Sequence, residues 1–252
     1  MTPADFTAIK HRGEKLAVLT AYDYPTARLL DESGLDILLV GDSLGMVVLG
    51  FPDTTHVTME HMLHHTAAVA RGTQRALIVA DLPFASYDTP EQALANARRL
   101  IAAGAHAVKL EGGASHAARI AAIVAAGIPV MAHLGMLPQS IREEGGYKLK
   151  GKTPEAADAL LADARAIENA GAFAVVLELV KADVAQRVSA ALSIPTIGIG
   201  SGPACDGQVL VTHDLIGLFP WFTPKFARQH VQVAAAIRTA ATAFLRETKA
   251  GA

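Results

Sequence analysis

Residues 89–111 read TPEQALANARRLIAAGAHAVKLE and contain the signals of one helix followed by one strand. Thr89 and the proline after it have the arrangement of an N-cap and a first helical residue, and Gln92 occupies the capping-box position. Gly104 follows the helical pattern at the point where a left-handed cap would end the helix. Ala107–Glu111 is a short, largely apolar run typical of a buried strand. The stretch therefore predicts one helix–strand unit of an α/β protein.

Similar units recur along the chain, because short apolar runs alternate with Ala-rich helical patterns. Several runs are almost continuously apolar, as in parallel strands buried on both faces. The strand candidates are Leu16–Tyr22, Leu35–Val40, Ala76–Asp81, Ala107–Glu111, Pro129–His133, Ala174–Glu178, Pro195–Ile199 and, more weakly, Val209–Thr212. About eight such strands predict a closed (β/α)8 barrel, with an open doubly wound sheet as the alternative. We expect residues 1–252 to form this single domain, with a short N-terminal helical extension.

The composition excludes several classes of protein. The 252 residues include 22 Lys and Arg against 24 Asp and Glu, a net charge of −2, so no basic surplus predicts binding to nucleic acid. The single Cys205 excludes an intrachain disulfide framework. Neither a signal peptide nor a membrane-spanning run is apparent, so we expect a cytoplasmic protein without a membrane partner. Charged residues are 18% of the chain, below the usual quarter, which suggests that other subunits cover part of the surface.

Polar side chains follow or complete five of the predicted strands. They are Asp42 and Ser43, Asp81, Lys109 and Glu111, His133, and Glu178. In a barrel the C-terminal ends of the strands form one face, and that face holds the active site. Each residue alone has a structural explanation, such as a helix N-cap or an ion pair. Five such strand ends together predict an active site, since carboxylates buried without partners are costly.

The acidic residues indicate a metal site. Asp42, Asp81 and Glu111 offer only oxygen ligands, which suit Mg²⁺ better than Zn²⁺. A bound Mg²⁺ that chelates a 2-oxo acid would ease removal of a proton next to the carbonyl group. Glu178 is the candidate base. Alternatively, Lys109 could be a Schiff-base nucleophile, as in class I aldolases.

Two glycine-containing segments have less specific interpretations. Residues 198–202, GIGSG, fit either a backbone cradle for an anion or a tight turn after a strand. Residues 135–151 form a long polar loop after the fifth strand, and such loops are often lids.

Eleven short motifs resemble those of one enzyme family, in the same order along the chain. They are TAYDY (20–24), VGDSLGM (40–46), HTAAVARG (65–72), ADLPF (80–84), VKLEGG (108–113), AHLG (132–135), PQS (138–140), GGYK (145–148), IGIGSG (197–202), CDGQ (205–208) and PKF (224–226). Together they cover roughly residues 16–228. The chain resembles the ketopantoate hydroxymethyltransferase family.

The resemblance implies a (β/α)8 barrel that assembles as a homodecamer of two pentameric rings. It implies transfer of a hydroxymethyl group from 5,10-methylenetetrahydrofolate to 3-methyl-2-oxobutanoate, which gives 2-dehydropantoate for pantothenate and coenzyme A synthesis. The resemblance implies that Mg²⁺ is held by Asp42, Asp81 and Glu111. It implies that the oxo acid is bound by Asp42, Ser43, Asp81, Lys109 and His133. Glu178 is the implied proton acceptor. The alternatives are another Mg²⁺-dependent oxo-acid C–C lyase on the same barrel, the Schiff-base aldolase, and a binding or scaffold protein without activity.

Overall fold

Eight apolar runs form parallel β-strands that pair in chain order and close into a barrel. In the computed structural model, which describes residues 3–251, the strands are β1 (Leu16–Thr20), β2 (Ile37–Val40), β3 (Leu77–Asp81), β4 (Ala107–Glu111), β5 (Val130–Gly135), β6 (Ala174–Glu178), β7 (Thr196–Ile199) and β8 (Gly207–Leu210). The closed (β/α)8 barrel predicted from the sequence is confirmed, and the open sheet was the wrong alternative. The weak eighth strand was placed two residues too late, because Thr212 already begins a helix.

Helices connect most of the strands. They are α1 (Pro3–His11), α2 (Tyr24–Glu32), α3 (Leu44–Val47), α4 (Met59–Gly72), α5 (Pro90–Ala102), α6 (Ala117–Ala125), α7 (Ile141–Glu144), α8 (Pro154–Asn169), α9 (Ala182–Ala191), α10 (Thr212–Leu215) and α11 (Val233–Ala250). Short 3-10 turns occupy Thr54–His56, Ala114–His116 and Pro138–Ser140. Within residues 3–251, none of these helices combines the length and apolar character needed to cross a membrane.

The chain divides into two compact units, one ending at Val209 and the other beginning at Leu210. The first unit contains the residues of the candidate site. The second contains α10 and α11. The expectation that residues 1–252 form one domain stays a prediction.

The ends of α5 show how the sequence sets the helices. The Thr89 hydroxyl accepts a hydrogen bond from the Gln92 backbone N–H at 3.2 Å, as the N-cap pattern predicts. The Gln92 side chain instead accepts from the N–H of Asp88, one residue before the cap, at 2.8 Å. Gly104 has a φ of +108° after the last turn, a conformation that glycine adopts without steric cost.

The described part of the chain has two apolar cores. One fills the interior of the barrel, and the other lies between the strands and the helices. The N-terminal end of the barrel interior is covered by α1, whose Phe6 is fully buried and packs 5.9 Å from the ring of Phe173. Lys10 at the end of α1 forms an ion pair of 3.0 Å with Asp206 and donates to two backbone carbonyl groups. These contacts attach α1 to the base of the barrel.

The inward-facing positions change from apolar to charged along the strands. Side chains alternate between the two faces of a strand, so every second residue points into the barrel. The inward series are Leu77, Val79 and Asp81 on β3, Ala107, Lys109 and Glu111 on β4, Met131 and His133 on β5, and Ala174, Val176 and Glu178 on β6. The apolar members form the interior core, and the charged members lie buried at the C-terminal ends. The fold therefore places five of the predicted site residues in the barrel mouth.

Candidate active site

An ion pair joins β3 and β4 at the centre of the mouth. Asp81 and Lys109 are paired in register, and the Lys109 Nζ lies 3.0 Å from Asp81 Oδ1. Both side chains are buried. Burial opposes the charged form of the lysine, but the carboxylates of Asp81, Asp42 and Glu111 outweigh it and raise the pKa of Lys109. Lys109 is therefore an ammonium group at neutral pH.

Asp42 lies beside this ion pair, two residues after β2. Its backbone N–H donates to Asp81 Oδ2 at 3.0 Å. Burial and the nearby charges of Asp81 and Glu111 raise the pKa of Asp42 well above its ordinary value. Burial also raises the pKa of Asp81, against the opposing effect of Lys109. The two carboxylates are thus held close together in a region where negative charge is costly.

Ser43 follows Asp42 and precedes α3. Its side chain makes no capping hydrogen bond to the helix, so the structural explanation for a serine here does not apply. Its hydroxyl lies 2.8 Å from that of Tyr22, and the two share a hydrogen bond. The Ser43 hydroxyl is half-buried next to the acidic group.

His133 bridges two carboxylates on the other side of the mouth. Its Nδ1 lies 3.5 Å from Glu111 Oε1, and its Nε2 lies 3.3 Å from Glu178 Oε2. Burial and Lys109 oppose a positive imidazole, but Glu111 and Glu178 outweigh them and raise the pKa of His133 to about 9. A protonated His133 therefore links the predicted metal ligand Glu111 to the predicted base Glu178.

The site carries more acidic than basic groups. Asp42, Asp81, Glu111 and Glu178 face only Lys109 and His133, and Glu111 Oε1 is buried with no hydrogen-bond partner among the described residues. Such an excess of buried oxygen donors fits a divalent cation. No group of three or more His, Cys, Asp or Glu side chains within residues 3–251 is arranged to hold a metal ion. Mg²⁺ commonly uses one or two protein carboxylates and takes water and substrate as its other ligands, so the residues fit this ion.

A tightly held turn follows Glu178 at the end of β6. Leu179 has a φ of +47°, an uncommon conformation for a branched side chain. The Glu178 carbonyl accepts from the N–H of Met136 at 2.8 Å. The Ser201 hydroxyl donates to the Leu177 carbonyl at 2.7 Å and accepts from the Val180 N–H at 2.9 Å. Through these two hydrogen bonds of Ser201, residues 198–202 support the end of the strand that carries Glu178. This structural role favours the interpretation of residues 198–202 as a tight turn over that of an anion cradle.

Gln139 and Tyr87 belong to the site but were not predicted. Gln139 donates its backbone N–H to Glu111 Oε2 at 3.0 Å and its side-chain Nε2 to Asp42 Oδ2 at 2.7 Å. Tyr87 donates its hydroxyl hydrogen to Gln139 Oε1. Tyr87 lies in a loop and Gln139 in the 3-10 turn Pro138–Ser140, where neither periodicity nor a strand end marks them. The PQS motif at 138–140 was the available signal for Gln139.

The loop after β5 contains the 3-10 turn Pro138–Ser140 and α7. Arg142 of α7 forms an ion pair with Asp53, with 2.9 Å between Nε and Oδ2. This contact joins the loop to the segment that follows α3. Closure of the loop over the site stays a prediction.

Several solved structures share the barrel at low sequence identity. Phosphonopyruvate hydrolase, in a complex with oxalate and Mg²⁺, has a TM-score of 0.66 at 16% identity, over 100% of this chain and 88% of that one. The enzyme 2,3-dimethylmalate lyase, a PEP mutase/isocitrate lyase superfamily member, has a TM-score of 0.64 at 18% identity, over 100% and 89% of the two chains. At these identities the similarity establishes the fold alone.

Sequence similarity identifies the family. The sequence model of ketopantoate hydroxymethyltransferase matches residues 1–252. The 3-methyl-2-oxobutanoate hydroxymethyltransferase of Ignicoccus hospitalis is 55% identical over 240 residues, 95% of this chain and 91% of that protein. The proteins of the same name from Pyrobaculum islandicum and Acetivibrio thermocellus are 57% and 53% identical, over 92% and 99% of this chain and 89% of each relative. The chain belongs to the ketopantoate hydroxymethyltransferase family of enzymes.

Proposed function

We propose that this enzyme transfers a hydroxymethyl group from 5,10-methylenetetrahydrofolate to 3-methyl-2-oxobutanoate and forms 2-dehydropantoate. The observation that carries the proposal is the buried group of acidic and basic side chains at the ends of β3 to β6. Such a group can bind a small anionic oxo acid and remove a proton from it. Membership of the family supports the choice of substrates.

The basic and hydroxyl groups would hold the oxo acid. Lys109 is an ammonium group with three N–H donors, and Asp81 lies near the group at 3.0 Å. The remaining donors can bind the carboxylate of the oxo acid. Ser43 and His133 lie at the same mouth and would hold its other polar atoms, with Asp42 and Asp81 against it.

The acidic residues would hold the metal ion. Asp42, Asp81 and Glu111 are the proposed Mg²⁺ ligands, one or two of them directly and the rest through bound water. Their oxygen donors agree with this assignment, as does Glu111 Oε1, which accepts no hydrogen bond among the described residues. When bound, Mg²⁺ supplies Lewis acidity at the keto oxygen and so lowers the cost of removing the neighbouring proton.

Glu178 would act as the base. Its carboxylate takes the proton from C3 of the oxo acid, and the electron pair of that C–H bond forms a new C–C bond to the one-carbon unit of the folate. Water supplies the hydroxyl oxygen, and both bonds from the one-carbon unit to the folate nitrogens N5 and N10 break. The proton taken from C3 and one proton of the water end on these two nitrogens, and tetrahydrofolate is released. His133 Nε2 lies 3.3 Å from Glu178 Oε2 and holds this carboxylate in the barrel mouth.

The direct test is incubation of the enzyme with both substrates and Mg²⁺, followed by mass spectrometry for 2-dehydropantoate. We expect the product to form, to disappear when EDTA removes divalent ions, and to return when Mg²⁺ is added. Product formation that EDTA leaves unchanged would contradict the metal assignment. No product under any of these conditions would contradict the reaction itself and leave the C–C lyase as the next activity to assay.

The Schiff-base alternative is disfavoured by the contacts of Lys109. A nucleophilic lysine must be a neutral amine, yet Lys109 is paired with Asp81 and its pKa is raised. Treatment with 3-methyl-2-oxobutanoate and borohydride should therefore leave the peptide that contains Lys109 unmodified. A stable substrate adduct on that peptide would favour the aldolase instead.

The assembly and the location in the cell stay predictions from the sequence. The resemblance predicts a homodecamer of two pentameric rings, and the expected location is the cytoplasm. Light scattering on the purified enzyme would test the assembly, since a monomer or dimer of 26.3 kDa chains is easily told from a decamer.

A further inference from the structure

Gln139 directs all three of its N–H groups at acceptors in the site. It is a buried residue in the 3-10 turn that follows β5. Its backbone N–H donates to Glu111 Oε2 at 3.0 Å. Its amide nitrogen donates to Asp42 Oδ2 at 2.7 Å and to the Leu82 carbonyl at 3.0 Å. A single residue of the β5 loop therefore contacts the acidic residues that follow β2 and end β4.

Tyr87 fixes the orientation of the Gln139 amide. The Tyr87 hydroxyl donates to Gln139 Oε1. Burial, with the charges of Glu111 and Asp42, raises the pKa of Tyr87, so its hydroxyl stays neutral and remains a donor. Because Oε1 accepts from Tyr87, the NH₂ end of the amide must face Asp42 and Leu82. A reversed amide would place Oε1 against two acceptors, Asp42 Oδ2 and the Leu82 carbonyl oxygen.

Gln139 holds one of the two carboxylate oxygens of Glu111. Oε2 accepts from the Gln139 backbone, whereas Oε1 accepts no hydrogen bond in the described part of the chain and lies 3.5 Å from His133 Nδ1. Asp42 has one oxygen fixed by the Gln139 side chain in the same way. Gln139 therefore fixes the orientation of both carboxylates before a ligand binds. Residues that orient metal ligands in this way commonly have large effects on metal affinity.

We propose that Gln139, oriented by Tyr87, is a positioning residue that sets the affinity of the site for a divalent cation by holding Asp42 and Glu111 in place. The proposal rests on the proposed function, because it takes these two carboxylates as ligands of Mg²⁺. It goes further in assigning the loop after β5 a part in cation binding. A residue that only fills space would leave the cation affinity unchanged when replaced by one of similar size.

The test compares Gln139→Leu with the wild-type enzyme and with Gln186→Leu. Leucine keeps the approximate size and the backbone N–H but lacks the amide. Gln186 is exposed on α9, away from the β5 loop in sequence, so its variant controls for the chemical change. Mg²⁺ alone is titrated into each protein by calorimetry. We expect the Mg²⁺ affinity of Gln139→Leu to fall about 10- to 100-fold and that of Gln186→Leu to match the wild type.

Kinetic constants separate positioning from general damage. We expect kcat of Gln139→Leu to fall while KM for 5,10-methylenetetrahydrofolate stays near the wild-type value, since the amide removed by this change acts on the acidic group through Asp42. A folded Gln139→Leu variant with wild-type Mg²⁺ affinity and kcat would overturn the proposal. Its melting curve establishes that it is folded.

Tyr87→Phe keeps the test decisive if Gln139→Leu does not fold. It removes one hydroxyl and leaves Gln139 intact. We expect its Mg²⁺ affinity to fall about 2- to 12-fold, the factor that one hydrogen bond is worth. Wild-type affinity in this variant would overturn the proposal. The proposed function is judged separately, because Mg²⁺ binding and EDTA sensitivity of the wild-type enzyme decide it without any variant.

Discussion

Lys109 Nζ lies 3.0 Å from Asp81 Oδ1, and the two residues are register partners on adjacent strands of the barrel. Both are buried, so neither charge can be solvated by water if the other is removed. The pair therefore matters to stability as well as to the proposed binding of the oxo acid.

Lys109→Met should destabilise the enzyme markedly. It leaves Asp81 buried without its cation, and breaking a buried pair in this way costs about 3–5 kcal/mol. Urea denaturation measures the free energy of unfolding. The exposed pair Arg28–Glu32, at 2.8 Å, provides the control, and Arg28→Met should cause a far smaller change. Equal losses in the two variants would show that burial of the Lys109 pair has no special effect.

Glu178→Gln should abolish proton removal while the fold is kept. The amide has nearly the same shape as the carboxylate but cannot accept the C3 proton, and loss of a general base costs roughly 10²- to 10⁴-fold in rate. The measurement is exchange of the C3 proton of 3-methyl-2-oxobutanoate with deuterated solvent, followed by NMR. Glu247→Gln, on the exposed face of α11, should exchange at the wild-type rate. Wild-type exchange by Glu178→Gln would remove Glu178 from the mechanism.

Gly135→Ala should harm both stability and catalysis. Gly135 has a φ of +96°, and an added Cβ would lie 2.2 Å from the carbonyl oxygen of Glu178. Gly34 has a similar φ of +87° with nothing within 4 Å of its Cβ position, so Gly34→Ala is a control for backbone strain alone. That strain costs about 1–2 kcal/mol. We expect Gly135→Ala to lose more stability than this in urea denaturation and to slow C3 proton exchange, whereas Gly34→Ala keeps the wild-type exchange rate.

Equal losses of stability in Gly135→Ala and Gly34→Ala, with C3 proton exchange at the wild-type rate in both, would contradict this prediction. The close approach of Gly135 to Glu178 would then matter neither for stability nor for catalysis. The comparison is informative because both glycines have positive φ and differ in what surrounds them.

Asp31 should make the stability of the enzyme depend on pH in the acidic range. Its buried carboxylate accepts three backbone N–H groups, from Gln74, Arg75 and Ala76 at 2.8 to 3.0 Å. Burial alone would raise the pKa of Asp31, but these donors outweigh it and lower the pKa below the usual value. The stabilisation is therefore complete above about pH 4 and is lost as the pH falls through the lowered pKa.

Asp31→Asn isolates this effect. The variant should be less stable than the wild type at neutral pH, because an amide has only one oxygen for the three donors. The difference in free energy of unfolding between the wild type and Asp31→Asn should shrink once acid protonates Asp31 in the wild type. Urea denaturation at a series of pH values measures it, and a difference that stays constant down to pH about 3 would contradict the assignment.

The sequence predicts those site residues whose positions follow from strand periodicity. Asp81, Lys109, Glu111 and Glu178 continue the inward alternation of their strands, so the ends of apolar runs were sufficient to find them. Parallel strands of a closed barrel then bring residues that are distant in sequence to one mouth.

Gln139 could not be found in that way. Its position depends on how the loop after β5 folds back over β2 and β4, and its contacts are with Asp42 and Glu111, which are 97 and 28 residues away. Loop conformation of this kind is fixed by tertiary hydrogen bonds and not by a local pattern.

The eighth strand was misplaced for a related reason. Gly207 is a weak strand former, yet β8 begins there because the backbone comes close to Leu16 and Ile197, with an added Cβ lying 2.7 to 2.8 Å from them. Packing in the closed barrel thus overrides the local preference of the residue.

The attachment of α1 to the base of the barrel also has a consequence for the proposed reaction. Phe6 and Lys10 close the N-terminal end, so the acidic residues are reached from the mouth. If two substrates react at Glu178, as proposed, both would approach from the mouth. The one that lies deeper would then bind first, and its product would leave last.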